Sequence, residues 1–473
     1  MIKQKLFING AWVEAAAYTP LFSPYTGEKI AEIPMATAAE VDRAIEAAYQ
    51  ARDTMAKMPA HQRAAILEKL VTLLEKRKEE AAVIIAREAA KPITTARAEI
   101  QRTITTYKFA AEEAKRIHGE TIPLDAAPGG EGRVAYTTRE PLGVIGAITP
   151  FNFPMNLVAH KVGPAIAAGN TVVLKPAPQT PLSAFFLAEL LQEAGLPDGA
   201  LNIVTGSGEV GQQIVADERV SMISFTGSAA VGKAIRNQAG LKRVVLELGS
   251  NAAVIVDKGV TIDKIINRCV TSAFSYQGQV CISLQRIYVH EEAYEEFVEK
   301  FIAAVQTLKV GDPLLPETDI SALIAPREVQ RVLGWIDEAV QHGARVATGG
   351  TAEGNCLLPT VLLDAAPTLK VSCEEVFAPV VLINKVASVE EAIELVNHSK
   401  YGLQAGIYTE NLHTAFEAAE KLQVGGVLIN DTPTFRVDHM PYGGVKESGL
   451  GREGVRYAVE EMTESKLVIF NRL

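Results

Sequence analysis

The run Val144-Ile145-Gly146-Ala147-Ile148 opens the part of the sequence that decides the fold. Short apolar runs bounded by glycine and proline are typical of strands buried on both faces of a parallel sheet. A helical pattern follows over residues 156–168, and strands and helices then alternate as far as Glu247. Strict alternation predicts a doubly wound α/β sheet, which binds ligands at the carboxyl ends of its strands. The other strands of this set are predicted at 171–176, 201–204, 222–225 and 243–247.

A second alternating set of elements begins after residue 250 and contains Cys281. Because a chain of 473 residues is too long for a single core, we predict two α/β domains. The first is assigned to residues 1–118 and 142–247, and the second to residues 248–440. The strands of the second set are predicted at 252–256, 287–289, 378–385 and 425–430.

The segment 119–141 interrupts the helical pattern with prolines and a glycine pair, and its residues 133–139 then alternate like a strand. Two interpretations have equal weight: a polar two-stranded arm, whose open edges another subunit could cover, or a long surface loop. The chain ends in a lone apolar strand, Ser465–Phe470, within residues 455–473. This strand needs a partner, and the arm is a candidate.

Composition narrows the class of protein. The net charge is −10 with the two signs interspersed, which argues against a nucleic-acid partner. No apolar run reaches the roughly 18 residues of a membrane span, and no secretory signal is evident at the start. The eight histidines have no metal-binding spacing, so no metal is expected. The cysteines form no disulfide framework, and a cytoplasmic location is the simplest expectation. They are Cys269, Cys281, Cys356 and Cys373.

Cys281 lies in Tyr276–Ser283, between a polar turn and a predicted strand. Such a junction lets a thiol face a cleft, where a helix N-terminus or a backbone N–H group favours the thiolate. The alternative is a buried structural thiol, since free cysteine is among the most buried residue types. The sequence does not exclude a histidine that is distant along the chain and contacts the thiol in the folded protein.

Four other positions have residue types suited to chemistry. Gly227 and Ser228 follow a strand and open a helix, where a phosphate can approach the helix N-terminus, although strand–glycine–helix turns are routine. Lys175 ends a strand and could pair with a phosphate or a ribose hydroxyl, or simply be solvated. Glu247 ends an apolar strand, where a raised pKa would suit a general base. Asn152, between aromatic residues and prolines, could offer a fixed amide N–H to an oxyanion.

Taken together, these stretches resemble the aldehyde dehydrogenase superfamily over nearly the whole chain. The resemblance is specific because separate motifs occur in the family's order. They are Pro-Phe-Asn-Phe-Pro at 150, Lys-Pro at 175, Phe-Thr-Gly-Ser at 225, Glu-Leu-Gly at 247, Gly-Gln-x-Cys at 278, Glu-x-Phe-x-Pro at 375 and the glycine-rich run from Pro441 to Gly449.

The resemblance implies two doubly wound Rossmann-like α/β domains and a small β oligomerisation arm. Residues 1–118 and 142–247 would form the dinucleotide-binding domain, residues 248–440 the catalytic domain, and residues 119–141 with 455–473 the arm. It also implies an NAD- or NADP-dependent enzyme that acts as a homodimer or homotetramer. An aldehyde would be oxidised to the carboxylic acid through a cysteine thiohemiacetal and a thioester.

The resemblance assigns a role to individual residues. Cys281 would be the nucleophile, Glu247 the general base, and Asn152, with the backbone N–H of Cys281, the oxyanion hole. Phe153 and Arg436 would contact the substrate. The residues implied in cofactor binding are Thr149, Pro150, Lys175, Pro178, Gly227, Ser228, Glu375 and Phe377.

Departures from the family pattern bear on specificity. Many relatives that prefer NAD have a glutamate where this chain has Pro178, and losing that carboxylate makes NADP acceptance plausible. Ser250 and Ile282 replace a usual glycine and threonine and change the walls of the site. The nearest branch is that of lactaldehyde, phosphonoacetaldehyde and non-phosphorylating glyceraldehyde-3-phosphate dehydrogenases. The resemblance to this branch suggests that Arg436 binds a small polar or anionic aldehyde. The alternative is that Arg436 is a structural ion-pair partner.

Two other functions compete with this interpretation. In a CoA-acylating enzyme, CoA would take the acyl group instead of water, and the candidate base Glu247 argues against it. The second is a protein that has kept the fold but lost its activity. The presence of all three residues Cys281, Glu247 and Asn152 argues against this interpretation.

Overall fold

The protein is described from a computed structural model that covers residues 2–472. In chain order the strands are β1 (Ile2–Lys3), β2 (Leu6–Ile8), β3 (Ala11–Val13), β4 (Ala17–Phe22), β5 (Lys29–Met35), β6 (Thr121–Ile122), β7 (Arg133–Pro141), β8 (Val144–Ile148), β9 (Thr171–Lys175), β10 (Leu201–Ile203), β11 (Val220–Thr226), β12 (Arg243–Glu247), β13 (Ala253–Val256), β14 (Arg286–His290), β15 (Arg345–Thr348), β16 (Ala352–Glu353), β17 (Cys356–Leu357), β18 (Thr360–Leu363), β19 (Val380–Val386), β20 (Tyr401–Gly402), β21 (Gln404–Tyr408), β22 (Gly426–Ile429), β23 (Val445–Lys446), β24 (Gly449–Leu450) and β25 (Thr463–Asn471).

The helices are α1 (Ala38–Lys57), α2 (Ala60–Lys76), α3 (Lys78–Ala89), α4 (Ile93–Ala114), α5 (Asn156–Ala168), α6 (Leu182–Ala194), α7 (Gly208–Ala216), α8 (Ala229–Gln238), α9 (Ile262–Phe274), α10 (Glu291–Val305), α11 (Pro326–Gln341), α12 (Lys370–Cys373), α13 (Val389–Asn397), α14 (Leu412–Lys421) and α15 (Val455–Glu461). Short 3-10 turns occupy Leu124–Ala126 and Ser275–Gly278. Within residues 2–472, no helix has both the length and the apolar character needed to cross a membrane.

The first large sheet has the order β24-β12-β11-β8-β9-β10-β2-β3. Its centre, from β12 to β10, is parallel, as the alternating sequence predicts. Successive residues of a strand point to opposite faces. Val172 and Leu174 of β9 therefore pack in the core with α2 to α6, while Val173 packs in the core with α1 and α7. Helices cover both faces, which is the doubly wound arrangement.

The second large sheet has the order β15-β18-β19-β14-β13-β21-β22. Six of its strands are parallel, and β15 is added antiparallel to β18 at one edge. On one face of this sheet the core is formed with α9 and α10, and on the other face it is formed with α13. Cys281 lies in the segment between α9 and β14.

The segment 119–141 forms strands instead of an irregular loop. β25, at the end of the chain, pairs antiparallel with β7 along its whole length, from Thr463 opposite Pro141 to Asn471 opposite Arg133. β6 pairs with the other edge of β7, which completes a three-stranded sheet. The predicted pairing of the terminal strand with this segment is therefore correct.

Candidate active site

The predicted site residues come from the carboxyl ends of the strands of the first sheet, from the α9–β14 segment, and from the segments that precede β19 and follow β22. A cavity of about 320 Å³ lies where they meet. Lys175, Thr149 and Pro178 lie outside its lining: Lys175 is buried at the end of β9, and Pro178 is exposed. The predicted residues that line the cavity are Cys281, Glu247, Asn152, Pro150, Phe153, Gly227, Ser228, Glu375, Phe377 and Arg436.

Cys281 follows a tight turn instead of standing at a helix N-terminus. Tyr276, Gln277 and Gly278 have φ angles of 49°, 53° and 68°, so three successive residues are left-handed. The Gln277 amide secures the turn through hydrogen bonds to the carbonyl oxygens of Ala90 and Ala322. This turn fixes the approach of the chain to Cys281.

The Cys281 thiol is 3.0 Å from the hydroxyl of Tyr442. Burial raises the pKa of Cys281 to about 11, whereas the Tyr442 hydrogen bond and the charge of Arg436 act in the opposite direction. Carboxylates at Glu375 and Glu247 raise it further. The resting thiol is therefore protonated at neutral pH, and its ionisation depends on groups of the cavity.

The Asn152 side chain is buried and oriented by the cysteine segment. Its Nδ2 donates to the carbonyl oxygen of Gln279 over 3.0 Å, while Oδ1 has no hydrogen-bond partner among the described residues. Each amide nitrogen has two donors. The second N–H is therefore available to a developing oxyanion, as the sequence predicts.

Glu247 ends β12 and is 3 % exposed, so it is a buried group and not a surface carboxylate. Neither of its oxygens has a hydrogen-bond partner within residues 2–472. Burial first, and then the charge of Glu453, raises the pKa of Glu247 well above its ordinary value. A raised pKa makes the carboxylate a stronger base, which suits a general base.

Arg436 connects the cavity to a buried network of charges. Its side chain is 7 % exposed, and Nη2 donates to Glu453 over 2.9 Å. Lys161 pairs with the other oxygen of Glu453 at 3.1 Å. The guanidinium also lies 3.7 Å from the ring centroid of Tyr442, and its Nε has no hydrogen-bond partner in the described part of the chain. Arg436 is thus both an ion-pair partner and a residue with a free donor at the cavity.

A second arginine, Arg102 of α4, also lines the cavity. Its guanidinium makes two hydrogen bonds to Asp438, of 2.7 and 3.2 Å. Asp438 also pairs with His160 at 2.8 Å. Burial, followed by the charge of Arg436, lowers the pKa of His160, so this histidine is neutral. Arg102, Tyr442 and Glu453 line the cavity, but the sequence analysis assigned no role to them.

Only one of the missed residues had a signal in the sequence. Tyr442 lies in the glycine-rich run that carries the family resemblance, but a motif match gave its side chain no role. Arg102 lies in a helix of ordinary amphipathic pattern, and nothing in its sequence neighbourhood connects it to residue 436 or 438.

The cavity residues fit a dinucleotide. Gly227 and Ser228 precede α8, whose N-terminal N–H groups suit a phosphate. Glu375 accepts a hydrogen bond of 2.9 Å from the Ser250 backbone, and burial raises the pKa of its carboxyl group to about 7. A Cβ atom on Gly249 would lie 2.4 Å from a carboxylate oxygen of Glu375, so a side chain there would displace this carboxylate. No cluster of metal-ligating side chains occurs within residues 2–472.

A thiol, a buried carboxyl group and residues that fit a dinucleotide, all in one cavity, indicate an NAD(P)-dependent oxidoreductase. The model of the aldehyde dehydrogenase family matches residues 12–468. The 3-sulfolactaldehyde dehydrogenase of Priestia aryabhattai is 47 % identical over 468 residues, which cover 98 % of this chain and 98 % of that protein.

Two solved structures superpose closely on this chain. Aldehyde dehydrogenase 21 from Physcomitrella patens, in complex with the reaction product succinate, superposes with a TM-score of 0.98 and 43 % identity, over 100 % of this chain and 99 % of that one. The glyceraldehyde-3-phosphate dehydrogenase GapN from Methanocaldococcus jannaschii, complexed with NADP, has a TM-score of 0.93 and 40 % identity, over 96 % of this chain and 100 % of that one.

The chain belongs to the aldehyde dehydrogenase family. It is an NAD(P)-dependent oxidoreductase that oxidises an aldehyde to the carboxylic acid. The predicted family, α/β fold class, enzyme class and cofactor are confirmed. The predicted branch is confirmed too, because it includes the glyceraldehyde-3-phosphate enzymes.

Proposed function

We propose that Cys281 is the nucleophile of this oxidation, with Asn152 as the oxyanion donor and Glu247 as the general base. One observation carries the proposal: these three side chains line a single cavity with Arg436. The Cys281 sulfur attacks the carbonyl carbon, and an amide N–H of Asn152 stabilises the oxyanion. The bound nicotinamide supplies the hydride acceptor. Glu247 then takes a proton from the water that hydrolyses the thioester, which releases the acid.

We propose further that the dinucleotide is held by the residues at the strand ends and around Glu375. Gly227 and Ser228 contact the pyrophosphate, and Lys175 and Glu375 bind the ribose hydroxyls. Exposed Pro178 leaves no carboxylate to repel a 2′-phosphate, which supports use of NADP as well as NAD. The remaining proposed contacts are Thr149, Pro150 and Phe377.

The proposed substrate is a small aldehyde that carries an anionic group. Arg436 supports this, since its Nε is a buried donor without a partner among the described residues. Two similar enzymes are named for anionic aldehydes: sulfolactaldehyde carries a sulfonate and glyceraldehyde 3-phosphate a phosphate. Other similar enzymes are named for lactaldehyde, which is neutral. Phe153 forms part of the same wall.

The experiment compares 3-sulfolactaldehyde with lactaldehyde, because the two differ only in the sulfonate. We expect wild-type kcat/KM to be higher for the sulfonate, by on the order of 100-fold for one buried charge-assisted contact. NAD and NADP are each tested, without CoA, and the product is identified as the acid.

Two variants separate the parts of the proposal. Cys281→Ala should abolish turnover of both aldehydes. Arg436→Met should reduce kcat/KM for the sulfonate by a larger factor than kcat/KM for lactaldehyde, because Arg436 also favours the Cys281 thiolate and its loss slows both reactions. Equal losses on both aldehydes would mean that Arg436 does not bind the anionic group, and turnover by Cys281→Ala would overturn the nucleophile.

We also propose that the chain assembles as a homodimer or homotetramer through the arm, residues 119–141 with 455–473. Leu467, Ile469 and Phe470 of β25 are apolar and about half exposed, which supports contact with a second copy. We propose for the other two domains the ranges predicted from the sequence, residues 1–118 with 142–247 and residues 248–440. The membership of the two large sheets supports this division, although β24 of the first sheet lies outside both ranges. A reducing compartment such as the cytoplasm suits four free cysteines.

A further inference from the structure

Tyr442 directs its hydroxyl at the sulfur of Cys281. The 3.0 Å contact between these atoms is the hydroxyl's one hydrogen bond within residues 2–472. The Tyr442 side chain is 2 % exposed and packs with Ile282 and Leu403. Its backbone is joined to that of Glu453 by two hydrogen bonds, of 3.0 and 2.6 Å. The hydroxyl is therefore held in place by packing and by the backbone, independently of the thiol.

The environment makes this hydroxyl a donor. Burial, together with the neighbouring Cys281, raises the pKa of Tyr442 well above its ordinary value, so the phenol keeps its proton across the working pH range. The guanidinium of Arg436 lies over the ring at 3.7 Å. A cation there draws electron density from the ring and strengthens the O–H as a donor. Glu453 fixes Arg436 in that position.

The other charged groups around the thiol do not by themselves stabilise the thiolate. Carboxylates at Glu247 and Glu375 disfavour the thiolate, and Arg436 favours it. Cys281 follows a 3-10 turn after α9, so it does not itself begin a helix. Tyr442 and Arg436 are the two side chains that offset burial at the sulfur.

We propose that Tyr442 is a catalytic hydrogen-bond donor to the sulfur of Cys281, stabilising the thiolate before attack and again when the thioester is hydrolysed. The proposal rests on the proposed role of Cys281 as the nucleophile. The thiol proton passes to solvent when the thiolate forms. Attack then forms the bond between sulfur and carbon and moves the carbonyl π electrons onto oxygen. Loss of the aldehyde hydrogen as hydride to the nicotinamide gives the thioester, and hydrolysis breaks the sulfur–carbon bond and leaves its electron pair on sulfur. The phenol proton stays on Tyr442 in both steps, so no proton is gained or lost there.

The expected effect of Tyr442→Phe follows from two opposing factors. Loss of a hydrogen bond to a charged group reduces the thiolate fraction about tenfold at neutral pH. The remaining thiolate is more basic and therefore about threefold more reactive, because thiol nucleophilicity rises with pKa. The net result is alkylation of Cys281 about threefold slower than in the wild type. The thiolate also leaves the thioester less readily, so kcat falls while KM for the aldehyde changes little.

The experiment measures alkylation of the full-length, cofactor-free protein by iodoacetamide and by the larger N-ethylmaleimide, from pH 6 to pH 9. Peptide mass spectrometry reports each cysteine separately. Partly exposed Cys373 is the internal control, and its rate should be the same in every variant. Tyr294→Phe is the matched control variant, because it removes a buried hydroxyl in the core around α10, away from the cavity.

A similar slowing at Cys281 with both reagents, in Tyr442→Phe but not in Tyr294→Phe, supports the proposal. An unchanged or faster rate overturns it, and so does slowing with the larger reagent alone, which indicates altered access. Turnover by Cys281→Ala is measured in parallel. If that variant is inactive while Tyr442→Phe alkylates normally, the donor role fails and the nucleophile stands; if it is active, both fail.

Discussion

Lys91 donates a hydrogen bond of 2.6 Å from its ammonium group to the backbone carbonyl oxygen of Asn152, and both side chains are buried. Lys91 also forms a fully buried ion pair with Glu99. The other oxygen of Glu99 accepts the backbone N–H groups of Met155 and Asn156, at 3.0 and 3.1 Å. The ion pair therefore holds both sides of the turn that presents the Asn152 amide to the cavity.

Lys91→Met should destabilise the protein and slow the reaction. It leaves Glu99 buried without its partner, which costs about 3–5 kcal/mol. Urea unfolding measures this loss of stability. We expect kcat to fall at least tenfold, since an oxyanion donor that loses its position loses much of its effect. The double variant Lys91→Met/Glu99→Gln should regain part of the stability and little of kcat. Wild-type kcat in the single variant would show that the pair does not position Asn152.

Gly278 and Gly334 should respond in opposite ways to alanine. Gly278 has φ +68°, and a Cβ atom there would lie 2.2 Å from the carbonyl oxygen of Ala378. Gly278→Ala should lower the free energy of unfolding by several kcal/mol and displace Cys281, with a large loss of kcat. Gly334 lies within α11 with open space around its Cβ position. Gly334→Ala should raise the free energy of unfolding by about 0.5–1 kcal/mol and leave kcat unchanged. Chemical denaturation checks both, and equal effects would contradict the geometry.

The sequence was sufficient for the parts of the fold that have a clear periodicity. Strands such as Arg243–Glu247 and helices such as Asn156–Ala168 have the predicted bounds, because each buried element is long enough to show its pattern. The short antiparallel strands β2, β3 and β24, which extend the first sheet, were not assigned to it. Two or three residues carry no readable period, and their pairing depends on contacts with distant parts of the chain.

The same limit applies to the site. Cys281, Glu247 and Asn152 were found because each lies in a motif next to a predicted strand or turn. The contacts of Tyr442 with the thiol and of Arg102 with Asp438 join residues 161 and 336 positions apart. Such pairings arise from packing, and a single sequence contains no record of them.

Cofactor affinity should fall as the pH falls through the range where Glu375 takes up a proton. Burial raises the pKa of Glu375 to about 7, and the ionised carboxylate is the better acceptor for ribose hydroxyl groups. If only the ionised form binds, the Kd for NAD(P) should rise about tenfold between pH 8 and pH 6. Fluorescence titration measures Kd. Glu375→Gln should bind more weakly at pH 8 and with little pH dependence; a steep profile in that variant would place the titrating group elsewhere.

Glu453→Gln should shift the acidic limb of the kcat profile to lower pH. The negative charge of Glu453 is, after burial, the main cause that raises the pKa of Glu247. An amide removes that repulsion but leaves the cations Arg436 and Lys161 in place, so Glu247 stays ionised as a base to lower pH. kcat is measured at saturating aldehyde and cofactor from pH 5 to pH 9. Glu447→Gln, which removes a carboxylate paired with Lys233 outside the cavity lining, is the matched control. If the acidic limb does not move in Glu453→Gln, Glu247 is not the base that limits the rate. If the limb moves to higher pH, loss of the ion pair with Arg436 outweighs the lost repulsion.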